Sequence, residues 1–299
     1  MSEDIVKRGG RIIKGVGGLY SVKTQDGVYT CAARGKFRVD EQTPLIGDYV
    51  DIIIVNDEEK KGYLSEIKPR KNEVVRPRAA NIDLIAAVFS VSEPAVSLEM
   101  IDNVLICCEW QVKDCGILIC INKADSDGSD KRIDEISRVY KGVYEILPVS
   151  ARTGLNISSL VSLLKGKTSM LAGPSGVGKS SLLNAIVPNA GMETGAVSRK
   201  ISRGKHTTRH TEFFVLDDDE KTLLADTPGF SHVSAEIVPK EELPFCFPEF
   251  LPFLGECRYT DCRHVTEDGC AVKAEVGGVV AAERLERYAG LRMNRGGLL

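Results

Sequence analysis

Residues 173–180 read Gly173-Pro174-Ser175-Gly176-Val177-Gly178-Lys179-Ser180, followed by Ser181, and so carry the spacing G-x4-G-K-[ST]. Glycines at the first and sixth positions let a backbone wrap closely round an anionic group with its N–H groups turned inward. The lysine can reach the terminal phosphates of a nucleotide, and the hydroxyl of Ser180 can ligate Mg²⁺. The motif requires a strand before it and a helix after it, and the apolar run 169–172 and the helix-compatible stretch 179–186 supply both.

Three further loops complete a nucleotide site. In Asn122-Lys123-Ala124-Asp125 the Asp125 carboxylate can accept from N1–H and N2–H2 of guanine, a pattern adenine does not offer. A base lacking those donors leaves the carboxylate unsatisfied, so discrimination is strong and the expected ligands are GTP and GDP. Ser150-Ala151 offers a backbone N–H toward guanine O6. Asp226-Thr227-Pro228-Gly229 offers an acid for the Mg²⁺ shell and a glycine N–H that can sense the γ-phosphate. Singly, each is an ordinary polar loop after a strand. Together they lie at the expected strand ends where α/β sheets bind ligands. Their order is unusual: the base-reading loops precede the phosphate loop, which marks a circular permutation.

A second constellation lies in Cys257-x4-Cys262-x-His264-x5-Cys270, four ligands within fourteen residues. Three thiolates and an imidazole suit one tetrahedral, structural Zn²⁺ with no open position. The other cysteines (Cys31, Cys107, Cys108, Cys115, Cys120, Cys246) lack ligand spacing and read as small core or surface residues.

These residues need elements to hold them. Short alternating segments over 11–16, 19–24, 27–33, 48–55 and 62–67 predict an all-β barrel of OB type. From about residue 80, apolar strands over 82–89, 116–121, 145–149, 169–172, 212–216 and 222–225 alternate with helices over 98–110, 130–140, 157–164 and 179–186. That alternation predicts a parallel, doubly wound α/β sheet. After Pro239 the chain is irregular, then helical over 271–295 with an interruption at Gly277-Gly278. The reading is multidomain: an N-terminal OB-fold barrel (1–72), a central, circularly permuted α/β P-loop GTPase domain (73–238) and a C-terminal zinc-binding, mostly helical domain (239–299).

Composition agrees with a soluble globular protein. The 299 residues are 43% hydrophobic and 27% charged, with 39 basic against 42 acidic side chains. No signal peptide or membrane span is read, and with nine scattered cysteines a reducing cytoplasm is expected. Two basic runs stand out on this mildly acidic chain, 60–78 and 199–210, and either could meet phosphate backbones.

Taken with Pro44-x-x-Gly47-Asp48, Arg70-x-Asn72 and Lys205-His206-Thr207-Thr208, the pattern resembles the ribosome small-subunit-dependent GTPase A family (RsgA/YjeQ) over nearly the whole chain. The resemblance implies GTP hydrolysis with Mg²⁺, binding to the small (30S) ribosomal subunit and its 16S rRNA, and a role in late subunit assembly; a monomer is expected. Thr207 or Thr208 is the expected switch residue at Mg²⁺. Phe230 stands where many GTPases carry a water-orienting glutamine, and His206 is the expected substitute, with His210 the weaker rival. The competing readings are a guanine-nucleotide-switched RNA-binding module without ribosome specificity, and a P-loop kinase or ATPase, which Asn122, Lys123 and Asp125 disfavour.

Overall fold

The computed structural model describes residues 7–33, 43–75, 78–93, 95–187, 212–216, 221–226 and 234–293. The first five strands, β1 (Lys7–Val16), β2 (Leu19–Thr24), β3 (Gly27–Ala33), β4 (Tyr49–Asn56) and β5 (Lys61–Ile67), close into a barrel in the order β1-β2-β3-β5-β4. Only the β3–β5 pairing is parallel, and the barrel is OB-like as expected. Alternation turns Ile12, Val22, Tyr29, Cys31, Ile52 and Leu64 inward, where all are fully buried.

The Pro44–Asp48 and Arg70–Asn72 motifs form the joint below the barrel. Gly47 has φ +89, and a Cβ there would lie 2.1 Å from the carbonyl oxygen of Ala80, so only glycine fits. Buried Asp48 accepts from Leu45 N (2.7 Å) and from Arg70 Nε (2.7 Å) and Nη2 (2.8 Å). Asn72 donates to Ile82 O and accepts from Ile82 N, both at 2.8 Å, which fixes the entry into the next domain. A short ribbon, β6 (Glu73–Val74) with β7 (Ala79–Ala80), leads into it.

The central sheet has the order β10-β9-β8-β11-β13-β12. Its strands are β8 (Leu84–Ser90), β9 (Gly116–Asn122), β10 (Glu145–Pro148), β11 (Thr168–Ala172), β12 (Phe213–Val215) and β13 (Leu223–Asp226). Helices α1 (Leu98–Gln111), α2 (Ser129–Tyr140), α3 (Ile157–Leu164) and α4 (Lys179–Ile186) connect them. Every residue of β8 and β11 is buried, as central parallel strands require. One expectation is corrected. The 212–216 segment joins the sheet as β12, antiparallel to β13 at the edge, with Phe214 and Val215 only half-buried. The barrel covers that edge: Lys14 bridges to Glu212, their side chains 2.6 Å apart.

The C-terminal unit has three 3₁₀ turns (Ala235–Ile237, Leu243–Cys246, Pro248–Phe253), a one-turn α5 (Ala271–Ala274) and α6 (Ala282–Met293). The interruption expected at Gly277-Gly278 in the 271–295 stretch is a turn that parts these two helices, with Gly277 at φ +89. Their core is Phe247, Phe250, Val272, Val280 and Tyr288, with Ile106 of α1 packed into it. Among the described residues, the cations of the first basic run are matched with carboxylates. Lys60 pairs with Asp57, Lys61 with Glu59, Lys68 with Asp51, Arg70 with Asp48, Lys71 with Asp83 and Arg78 with Glu73.

Candidate functional site: a guanine-nucleotide cleft and a metal cluster

The phosphate loop sits between β11 and α4, as its motif demands. Gly173 (φ +135), Gly176 (φ +83) and Gly178 (φ +96) all take the left-handed region. A Cβ at Gly173 would lie 2.2 Å from Val88 O, and one at Gly178 would lie 2.3 Å from Asn122 Nδ2. The loop is therefore pressed on both sides and leaves its concave face to a ligand. Gly178 caps α4 without a side chain, so the first N–H groups of the helix open toward the loop. Lys179 is buried, and its Nζ donates to the carbonyls of Gly173 (2.8 Å) and Pro174 (2.7 Å), spanning the loop it serves.

Asn122, at the end of β9, is a clasp between the expected base-reading loop and the expected phosphate loop. Its Nδ2 donates to Val177 O (2.9 Å) and its Oδ1 accepts from Ala151 N (3.2 Å). One buried side chain thus joins the phosphate loop to the Ser150-Ala151 loop. Lys123 takes φ +62 and lays its Nζ on the carbonyl of Glu93 across the mouth of the site. Ser150 is fully buried, and its Oγ accepts from Arg152 N (3.2 Å) and Thr153 N (3.1 Å). The Ser150 hydroxyl, seconded by Arg152, holds the Asp125 carboxyl below the usual carboxylate range against the opposing effect of burial. Asp125 is accordingly ionised and acceptor-only, as reading guanine requires. These residues line a cleft of about 670 Å³ that also includes Ser181, a nucleotide-sized volume.

Ser175, Ser180 and Ser181 fall at their expected places in the loop and the first turn of α4, and Asp226 closes β13, which lies beside β11 in the sheet. Gly229, His206, Thr207 and Thr208, with the second basic run, lie outside the described residues. Sequence reasoning missed Arg152. Its Nε donates to Asp125 Oδ2 at 2.6 Å. The signal was available, because Arg152 directly follows Ser150-Ala151.

The second expected cluster also assembles. The ligand atoms of Cys257, Cys262, His264 and Cys270 all lie within 4.8 Å of one another. A tetrahedral Zn²⁺ with Zn–S of about 2.3 Å and Zn–N of about 2.0 Å needs S···S near 3.8 Å and S···N near 3.5 Å. Cys257 Sγ lies 3.9 Å from Cys270 Sγ, and His264 Nδ1 lies 3.5 Å from Cys257 and 3.4 Å from Cys270. The donor set and its spacing fit the ion. Ala271 N donates to the Cys257 sulfur at 3.4 Å, and Glu267 accepts from the backbone of Arg263, Val265 and Thr266, holding the ligand turn.

Comparison with known proteins agrees with this geometry. The chain matches the RsgA GTPase family over residues 67–236 and the RsgA N-terminal domain family over residues 9–64. It is 41% identical over 281 residues to the small ribosomal subunit biogenesis GTPase RsgA of Alkaliphilus metalliredigens, covering 93% of this chain and 94% of that one. The crystal structure of YjeQ from Thermotoga maritima superposes with a TM-score of 0.80 at 34% identity, covering 96% of this chain and 98% of the other. That of YloQ, described as a circularly permuted GTPase, gives 0.76 at 33%, with 98% and 96% covered. With its base-reading loops ahead of its phosphate loop and both family regions matched in sequence, the chain belongs to the RsgA family of circularly permuted GTPases.

Proposed function

We propose that the chain hydrolyses GTP on the small (30S) ribosomal subunit during its late assembly, and that this takes place in the cytoplasm with the protein as a monomer. The observation that carries the reading is the Asn122 clasp, which makes one guanine-specific cleft of loops that are far apart in sequence. The relatives' names, small ribosomal subunit biogenesis GTPase, supply the setting. Among the described residues no helix is long and apolar enough to cross a membrane.

In the reaction, water attacks the γ-phosphorus in line. A new P–O bond forms, the bond to the β–γ bridging oxygen breaks, and GDP leaves while the water proton passes to the phosphate product. Gly173 to Ser181 hold the phosphates, and the Lys179 ammonium balances charge as it spreads over the leaving oxygens. Mg²⁺, when bound, neutralises the β- and γ-oxygens; Ser180, Asp226 and either Thr207 or Thr208 would hold it, directly or through water. His206 orients the attacking water in place of the glutamine that Phe230 supplants. Zn²⁺ at Cys257, Cys262, His264 and Cys270 is structural. The barrel and the zinc unit meet 16S rRNA largely through phosphates, which position without reading sequence.

GTP turnover measured alone, with purified small subunits and with large subunits tests the reading. Stimulation by small subunits alone is expected. Turnover indifferent to both would leave a guanine-nucleotide-switched RNA-binding module instead.

A further inference from the structure

At the end of the sheet opposite the nucleotide cleft, the barrel and the GTPase domain enclose a second cleft, of about 580 Å³. Its barrel wall is built from cross-strand neighbours of β1 and β4, with Arg11 opposite Tyr49 and Gly9 opposite Asp51. Tyr49 is 49% exposed, although tyrosine on a barrel strand could have been buried. The Arg11 guanidinium lies 4.6 Å from its ring centroid. That guanidinium is itself pinned by the carbonyls of Gly47 (Nε, 3.1 Å) and Asn81 (Nη2, 3.1 Å). The ring is thus held on one side by an immobilised cation. Beside it, a Cβ on Gly9 would meet nothing nearer than Asp51 Oδ1 at 3.8 Å, so the glycine leaves a flat backbone floor that packing does not require. Lys23, Lys68 and Lys221 line the same cleft with Arg11, against Asp51 and Asp83.

We propose that this cleft takes an unstacked nucleobase with its phosphate, laid over Gly9 against the ring of Tyr49, and that the base belongs to single-stranded RNA. A flat floor, an aromatic face and surrounding cations are the ingredients of sequence-tolerant base stacking. The Arg11 contact enhances the platform by fixing the ring before the base arrives. The proposal rests on the RNA-binding reading above and gives it an address on the barrel.

The test is fluorescence anisotropy of labelled single-stranded RNA hexamers, oligo(A) and oligo(U), with wild type, Tyr49→Ala and Tyr49→Phe. Tyr49→Ala is expected to weaken binding about five- to hundredfold. Tyr49→Phe should bind as wild type, with melting temperature and GTP turnover unchanged in both variants. Equal affinity of Tyr49→Ala and wild type overturns the site while leaving RNA binding standing. A loss of equal size in Tyr49→Phe overturns stacking as its basis. Wild type that binds neither hexamer overturns the RNA-binding reading itself. AMP or UMP displacing the hexamers at the hexamers' own affinity assigns the cleft to free nucleotides and overturns the RNA assignment.

Discussion

The unit around the Cys/His cluster and the nucleotide cleft are built on opposite plans. The four metal ligands come from fourteen consecutive residues, whereas the cleft gathers its side chains from loops after β9, β10 and β11. Around the metal cluster there is little regular structure: α5 is one turn long and the preceding segments are 3₁₀. The cleft rests instead on a sheet whose central strands are buried throughout. In the Cys/His unit the candidate site and the local fold are therefore one thing. In the GTPase domain the fold stands first and the site is borrowed from its loop ends.

The largest expected effect follows directly. Cys262→Ser, or removal of Zn²⁺ by a chelator, should abolish amide protection over residues 257–274, because structural zinc supplies on the order of 10 kcal/mol in small metal-folded domains. Guanine-nucleotide affinity should stay within about twofold, because among the described residues none lining the cleft lies beyond Ala185, far along the chain from the cluster that begins at Cys257. Hydrogen exchange and nucleotide titration on the same sample check both halves. A parallel collapse of nucleotide binding would break the contrast.

Between the two plans lies the joint that makes them one molecule. Arg284 of α6 is fully buried and is held by Glu249 through Nε (2.6 Å) and Nη2 (3.0 Å) and by Asp102 of α1 through Nη1 (2.5 Å). The Tyr140 hydroxyl donates to the same Asp102 at 2.9 Å, and the guanidinium carbon lies 4.6 Å from the centre of the Phe247 ring. Arg284→Ala strands the buried Glu249 and leaves Asp102 to Arg287 and Tyr140 alone, and should cost about 3–5 kcal/mol by urea denaturation. An effect under about 1 kcal/mol would mean that apolar packing alone joins the units.

How far the sequence discloses all this depends on the distance over which each feature acts. The metal ligands, the glycines of the phosphate loop and the strand–helix alternation are local, and each follows from spacing or periodicity. Arg284 reads as one more charge on an amphipathic helix, because Asp102 and Glu249 come from distant segments. The run 60–78 hides its partners for the same reason. Its cations look free until the fold brings Asp48, Asp51 and Asp83 to them. Likewise β12 is too short to declare its direction, which its pairing with β13 decides.

A smaller effect sharpens the account of the cleft. Asn122→Ala should leave the sheet intact but unfasten Val177 from Ala151 and strand a buried carbonyl and N–H. If the unfastened loops lose about 1.4–2.8 kcal/mol of nucleotide binding, GTP and GDP affinity should both fall about ten- to hundredfold. Calorimetry with the two nucleotides checks this. A loss confined to GTP would show that the clasp serves the γ-phosphate and not the whole cleft.

The smallest effect concerns a carboxyl beside the joint. Glu109, near the end of α1, has its pKa raised from 4.5 to about 7 by burial; the Tyr144 hydroxyl and the Arg284 guanidinium oppose part of the rise and Glu249 adds to it. Cys246 lies in the same groove. The folded state thus holds a proton that the unfolded chain releases near pH 4.5. Its contribution to stability is complete below that pH and is lost as pH climbs through about 7. Glu109→Gln keeps the shape, removes the titration and should flatten the pH dependence across that window. Solvent reaches this half-buried side chain, so the gain at pH 8 should be about 1 kcal/mol. Urea midpoints at pH 5, 6, 7 and 8 for both proteins supply the measurement, and the difference between them cancels every other titrating group. The two curves should lie closest at pH 5, separate up to about pH 7 and run level beyond it, with the glutamine variant above. Parallel curves would show that Glu109 ionises in the folded protein as freely as in water, and that the joint is wetter than its burial implies.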